Sequence, residues 1–401
     1  MGGIVIIGAG QAGAALAAKA RDLGFAGKIT LIGAEDAPPY QRPPLSKAYL
    51  MGQMQAERLW LRSPAFYSEN AIDLRLGAQV RVMDAARKTV TLGDEVIPYD
   101  HLALTTGASP RRLPASIGGD LAGVYTVRSL ADVDMMRPEF ARGRSLAVIG
   151  GGYIGLEAAA VARKLGLQVH VIEMAPRILQ RVACAETSAY IAALHRQNGV
   201  HIHENASLER ILGQTRAIGV RLNDGREIAA DFVITGVGVT PNTDLAQAAG
   251  LALDNGIASD AFGQTSDPHI WAAGDCASFP YMGGRIRLES VGNAIDQAEV
   301  VAANMLGAQT PYQAKPWFWS DQYDCKLQIA GLNTGYDTVI TRGGQGDAIS
   351  FWYYRGDTLL AVDAMNDPRG YMVGKRLIET GKSPAKSAVA DTAIPIKDLL
   401  T

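Results

Sequence analysis

The chain reads as an α/β protein with two Rossmann-like dinucleotide-binding domains and a C-terminal α+β domain. Three observations predict this. IVIIGAGQAG at Ile4–Gly13 and VIGGGYIGLE at Val148–Glu157 each combine an apolar strand, a glycine-rich turn and a helix start. From about Lys315 the composition shifts to aromatic and β-branched runs of strand character. A lone GxGxxG is weak evidence, because glycine also serves turns for purely conformational reasons. Two copies in the same context imply two dinucleotides.

In the first copy Gly3–Ile7 is the strand, Gly8, Gly10 and Gly13 form the turn, and Ala12–Leu23 is a helix of small residues. In the second, Ser145–Ile149 is the strand, Gly150, Gly152 and Gly155 the turn, and Tyr153–Leu165 the helix. The first glycine makes the tight turn, the second admits phosphate to the backbone, and the third lets helix and strand pack closely. The helix N-terminus then meets a diphosphate with free N–H groups and partial positive charge. The next strands differ. QVHVIE ends on Glu173, 18 residues past Gly155, where a carboxylate accepts hydrogen bonds from an adenosine ribose and repels a 2′-phosphate, favouring NADH over NADPH. Arg177 and Arg181 follow as groups able to accommodate that phosphate. In the first copy Gly33 of KITLIGAED takes the matching place, and Glu35 is the nearest acid.

YDHLALTTGASPR (Tyr99–Arg111) and ADFVITGVGVTPN (Ala230–Asn242) are apolar strands meeting glycines, where the chain crosses from one dinucleotide domain to the other. Between them, NDG at 223–225 marks a hairpin. IWAAGDCA at Ile270–Ala277 ends a strand in Gly-Asp and presents Asp275 to a ligand lying across the strand ends. WFWSDQYDCKLQIAGL and SFWYYRGDTLLAVDAM are strands of the third domain, and GYMVGKRLIETG is a short helix with a glycine stop.

Composition excludes several classes. Hydrophobic residues make up 48%, charged residues 19%, and 38 basic against 40 acidic side chains leave a net charge of −2, with no basic run to suggest nucleic acid. No apolar stretch reaches the roughly 18 residues of a membrane span. The N-terminal apolar run is too short and glycine-rich for a signal peptide, so a cytoplasmic protein is expected. Cys184, Cys276 and Cys325 form no CxxC pair, which suggests neither a disulfide framework nor a zinc cluster.

GAGQAG near residue 8, QRPPLSKAYL at 41–50, TTGASPR at 105–111, GGGYIGLE at 150–157, AAGDCA at 272–277, ESVGNAIDQA at 289–298 and WFWSDQ at 317–322 together resemble the FAD-dependent, NADH-using ferredoxin reductases, the family of putidaredoxin reductase and the reductase components of aromatic-ring dioxygenases. The resemblance implies a glutathione-reductase-like architecture, with an FAD domain over 1–108 and 241–315, an NAD domain over 109–240 and the third domain over 316–401. It implies that Gly8, Gly10, Gly13, Glu35, Arg42, Pro43, Lys47, Thr106, Gly107, Arg111, Asp275, Val291 and Trp319 contact FAD. It likewise implies that Gly150, Gly152, Tyr153, Ile154, Gly155, Glu157, Glu173, Arg181, Gly236, Val237 and Gly238 contact NADH. Lys47, Glu157 and Trp319 are the expected catalytic set: Lys47 stabilises reduced flavin, Glu157 restrains Lys47, and Trp319 packs where the electron acceptor approaches. The expected partner is a [2Fe–2S] ferredoxin serving a cytochrome P450 or a Rieske-type oxygenase, with the reductase a monomer or homodimer.

Each role has a plainer alternative. Lys47 and Glu157 form a structural ion pair or do not meet. Trp317 and Phe318 are core, Asp321 and Gln322 cap the following turn, Cys276 is packing, and His195, His201 and His203 are surface or satisfied polar groups. Arg285, Arg287, Lys326, Lys375 and Arg376 are candidates for steering an acidic ferredoxin, or simply a solvated face. A disulfide reductase needs a redox cysteine after the first βαβ unit, and residues 34–60 contain none. A rubredoxin reductase shares these motifs. An apoptosis-inducing-factor-like, NADH-gated binding flavoprotein would carry a basic surface, against which the near-neutral charge argues.

Overall fold

The computed structural model describes residues 3–401. The described residues divide into two compact units, one formed by 3–42, 55–109 and 239–316, the other by 43–54, 110–238 and 317–401.

In the first unit a parallel sheet runs in the order Ile270–Ala272, His101–Leu104, Ile4–Ile7, Ile29–Ile32, Ile72–Arg75. Alternation along Ile4–Ile7 sends Ile4 and Ile6 to one face and Val5 and Ile7 to the other. On the first face they meet Leu16, Ala17 and Ala20 of the Gln11–Asp22 helix and Ala298, Val301 and Met305 of the Val291–Met305 helix. On the second they meet Met83, Val90 and Ile97 from a three-stranded antiparallel layer. Burial on both faces explains why the strands read as continuous apolar runs.

The second unit contains a parallel sheet in the order Val200–His203, Gln168–Ile172, Ser145–Ile149, Phe232–Thr235, Val124–Tyr125. An antiparallel sheet of Leu208–Leu212, Gly219–Leu222 and Glu227–Ala229 covers one face. Its tight turn is the NDG segment, where Gly225 takes φ +86°. Residues 317–365 form a five-stranded antiparallel sheet, backed by the Pro368–Glu379 helix, with Trp352, Tyr354, Val362 and Leu377 buried in its core. Pro43–Met54, expected within the first domain, packs with this second unit. Trp317 and Phe318 depart from the core alternative, since both are only half-buried on their strand.

The 317–365 sheet is tied to the Ala185–Gln197 helix by a buried carboxylate. Asp363 is 1% exposed, and its Oδ2 accepts from the Thr187 hydroxyl at 2.7 Å and from the Tyr353 hydroxyl. Burial pushes the carboxyl up to about 6, against the pull of these two donors. A folded-state value raised above the unfolded one stabilises the fold below pH ~4, and that contribution is lost as pH rises through about 6. Asp363→Asn keeps an acceptor for both hydroxyls and removes the ionisation. At pH 7.5 the variant should be the more stable by on the order of 3 kcal/mol, with the difference gone near pH 4. Thermal melts of both proteins across this range check the prediction, and parallel pH profiles would refute it.

Candidate functional site

In the first unit the glycine turn is shaped by close backbone approach. A Cβ at Gly8, where φ is +116°, would lie 2.1 Å from the Thr105 carbonyl oxygen, and one at Gly13 would lie 2.0 Å from the Gly8 carbonyl oxygen. A Cβ at Gly10 would meet nothing within 4 Å. Gly10 is the N-cap of the Gln11–Asp22 helix and has no side-chain cap bond, so the helix presents its first N–H groups to open space. Asp275 follows Gly274, whose own Cβ would come within 2.9 Å of the Ala12 side chain, placing the Gly-Asp loop beside this helix start. Thr106 donates to the Asn242 carbonyl at 2.7 Å, and Asn242 N donates to Gly107 O at 2.9 Å. Val291 opens the helix capped by Ser290. Glu35 accepts from Arg42 and from the Tyr40 hydroxyl, each at 2.5 Å. Burial works against the Arg42 charge, but Tyr40, Glu35 and Asp275 carry its pKa above the ordinary value.

The second turn, in the second unit, repeats the arrangement. A Cβ at Gly150 would lie 2.5 Å from Gly236 O, one at Gly155 2.5 Å from Gly150 O, and one at Gly152, the uncapped N-cap of the Tyr153–Lys164 helix, would meet nothing within 4 Å. Glu173 accepts from Gly151 N at 2.7 Å and Ala175 N at 2.8 Å, so its carboxylate is already oriented at the mouth of the turn. Arg181 approaches the place of a Gly238 side chain at 3.8 Å, and Arg111 N donates to Gly238 O at 2.9 Å. Arg177 is engaged elsewhere, on Cys184 O and Ser188 Oγ. Ile154 is 43% exposed, Val237 is half-buried, and the buried Tyr153 hydroxyl has no hydrogen-bond partner among the described residues. These features fit a dinucleotide at each turn: open space before an uncapped helix start, with an acid beyond it.

Lys47 and Glu157 meet. Lys47 Nζ lies 2.9 Å from Glu157 Oε1, with side-chain exposures of 17% and 6%. The Pro43–Ser46 turn delivers Ser46, whose hydroxyl donates to Glu157 Oε2 at 2.6 Å, and Ser320 donates to Oε1 at 2.7 Å. Burial raises the Glu157 carboxyl above the usual range, opposed by Lys47 and both hydroxyls. Ser46 and Ser320 were not singled out from sequence; the signal available was only their adjacency to Lys47 and Trp319. Pro43 begins the same turn.

Trp319 stacks on Trp317 with ring centroids 5.5 Å apart, and Phe318 packs against Tyr153 at 4.9 Å. Trp317, Phe318 and Trp319, with Lys326 and Tyr371, line a surface cavity of about 230 Å³. Gln322 does not cap a turn: it is buried and bonds Ser320 and His195. His195 is fully buried and satisfied, whereas His201 is exposed and His203 contacts His170 at 3.1 Å. Cys276 is buried packing. Of the steering candidates, Arg285, Arg287 and Lys375 are paired with Asp254, Glu289 and Glu379, and Lys326 stands at the Trp319 cavity.

Two such turns, each feeding a helix from a parallel sheet, define an FAD-dependent oxidoreductase that uses a nicotinamide nucleotide. The chain belongs to the pyridine nucleotide-disulphide oxidoreductase family, matched over residues 2–298, and carries a reductase C-terminal domain over 317–400. It is 43% identical to rhodocoxin reductase of Rhodococcus erythropolis, over 98% of this chain and 93% of that protein. It is 39% identical to the ferredoxin–NAD(+) reductase component of the anthranilate 1,2-dioxygenase system of Burkholderia cepacia, over 99% and 98%. The reductase in the crystal structure of the covalent putidaredoxin reductase–putidaredoxin complex superposes with a TM-score of 0.96 at 40% identity, covering 100% of this chain and 98% of that one. No described helix is long and apolar enough to cross a membrane.

The two kinds of glycine separate by substitution. Gly13→Ala should destabilise even the apoprotein by about 1–3 kcal/mol, the cost of overpacking. Gly10→Ala should leave the apoprotein melt unchanged yet weaken FAD binding by about tenfold or more. Apoprotein melts and FAD titrations check both, and tight FAD binding by Gly10→Ala would count against the cradle.

Proposed function

We propose that this protein takes hydride from NADH onto FAD and delivers the electrons one at a time to a [2Fe–2S] ferredoxin, which supplies a cytochrome P450 or a Rieske-type oxygenase. The observation that carries this reading is the Lys47–Glu157 pair, a cation held by a buried carboxylate on the helix that begins at the second glycine turn. FAD, when bound, supplies the chemistry of accepting a hydride and releasing electrons singly. The chain's own residues bind, orient and tune.

In this reading Gly8, Gly10 and Gly13 receive the FAD diphosphate, Glu35 its adenosine side, and Arg42, Thr106, Gly107, Arg111, Asp275 and Val291 the rest of its length. Gly150, Gly152, Tyr153, Ile154 and Gly155 receive NADH, with Glu173 on the ribose and Arg181, Gly236, Val237 and Gly238 around it. Lys47, beside Pro43, sets a positive charge where reduced cofactor is negative, and Glu157 keeps it there. Trp319 faces the ferredoxin, and Lys326 at its cavity attracts an acidic partner. A cytoplasmic setting agrees with three free, buried cysteines and with NADH as reductant.

The test is NADH-driven reduction of cytochrome c, with and without purified [2Fe–2S] ferredoxins and rubredoxins. Stimulation by a ferredoxin is expected. Stimulation by rubredoxin alone would make the protein a rubredoxin reductase, and rapid flavin bleaching with no stimulated transfer would favour an NADH-gated binding protein. Glu173→Ala should narrow the NADH over NADPH preference by about tenfold, the worth of one charge-assisted contact. The ratio of kcat/KM for the two nucleotides reads this out, and an unchanged ratio would remove Glu173 from the ribose.

A further inference from the structure

Within the second unit a chain of buried hydrogen bonds leads away from Glu157. Ser320 Oγ lies 2.7 Å from Glu157 Oε1 and 3.0 Å from Gln322 Nε2, and Gln322 Oε1 lies 2.7 Å from His195 Nε2. Tyr323 OH approaches His195 Nδ1 at 3.4 Å, its ring edge-on to the imidazole at 5.1 Å. Ser320, Gln322 and His195 are at most 1% exposed.

The direction of every bond follows from the carboxylate. An ionised Glu157 accepts only, so the single Ser320 proton points to it. Ser320 is then an acceptor, which turns the NH₂ of Gln322 toward it and the amide oxygen toward His195. That oxygen accepts only, so His195 carries its proton on Nε2 and leaves Nδ1 to accept from Tyr323. Burial keeps the imidazole neutral, lowering its pKa to about 4. Tyr323 holds its place in a left-handed conformation, φ +57°, which is uncommon for a bulky side chain. Its carbonyl accepts from Lys164 at 3.1 Å. A histidine needed only for packing would not require an aligned run of donors ending on the carboxylate that holds Lys47.

We propose that His195 and Gln322 are positioning residues for hydride transfer, orienting the Ser320 hydroxyl so that Glu157 stays ionised and Lys47 stays placed. The inference rests on the role given to the Lys47–Glu157 pair above, and the test separates the two. In ¹⁵N-histidine NMR of the FAD-loaded protein at pH 7.5, the His195 signals, assigned by their loss in His195→Gln, should be those of the Nε2-protonated tautomer. An Nδ1-protonated ring would overturn the proposal without any kinetic measurement.

In stopped flow, His195→Leu should slow flavin reduction at saturating NADH by about fivefold while the NADH dissociation constant stays within about twofold. His195→Gln, which retains an N–H for Gln322, should recover most of that rate. The His195→Leu penalty should vanish in a Glu157→Gln background, because the residue acts through that carboxylate. A full-rate His195→Leu, a slowing confined to NADH affinity, or additive penalties would overturn the inference while leaving the ion pair's role intact. A full-rate Glu157→Gln would remove the ion pair from the reading, and the inference with it.

Discussion

A carboxylate that is 5% exposed must collect donors from wherever the chain can bring them. Glu157 collects Lys47 and Ser46 from one side of its sequence and Ser320 from the other, at separations of 111 residues for Ser46 and 163 for Ser320. That requirement gathers the Pro43–Ser46 turn, the helix of the second glycine turn and the first strand of the 317–365 sheet around one charge. It also explains why Pro43–Met54 packs with the second unit although its sequence neighbours on both sides belong to the first. A charge buried for packing alone would be costly. Here the same group restrains the lysine that the proposed chemistry uses.

The two glycine turns solve one steric problem twice and two electrostatic problems differently. In both, the first and third glycines are excluded from bearing a side chain by carbonyl oxygens 2.0–2.5 Å from the place of a Cβ, while the middle one opens onto free space. The acids beyond them are held by different means. Glu173 is oriented by the backbone N–H groups of Gly151 and Ala175, which leaves it a pre-aimed acceptor. Glu35 is matched by the Arg42 guanidinium and the Tyr40 hydroxyl, so its charge is neutralised locally. This difference parallels their unequal spacing from the glycines in sequence.

The third structural element of the site is aromatic. Trp317, Phe318 and Trp319 are consecutive, and strand alternation alone would bury one side and expose the other. Instead all three are half-buried, because Trp317 and Trp319 stack on each other and Phe318 on the opposite face packs on Tyr153 of the second turn. Ser320, next in line, points inward to Glu157. One strand thus serves a surface cavity and a buried charge at once.

Patterns of short range were legible in the sequence. Both strand-turn-helix units, the NDG hairpin, the Gly-Asp loop and the strand-rich C-terminal segment follow from local rules of glycine geometry and apolar alternation, and they lie where those rules put them. The identity of Lys47 and Glu157 as a candidate pair came from motif resemblance, since nothing in their spacing dictates contact. Ser46, Ser320, Gln322, His195 and Asp363 were beyond local reading: a serine or histidine looks the same in sequence whether it faces water or a buried carboxylate. Only tertiary packing decides which polar groups lose their water, and once it had buried Glu157 and Asp363, hydrogen-bond satisfaction selected the partners.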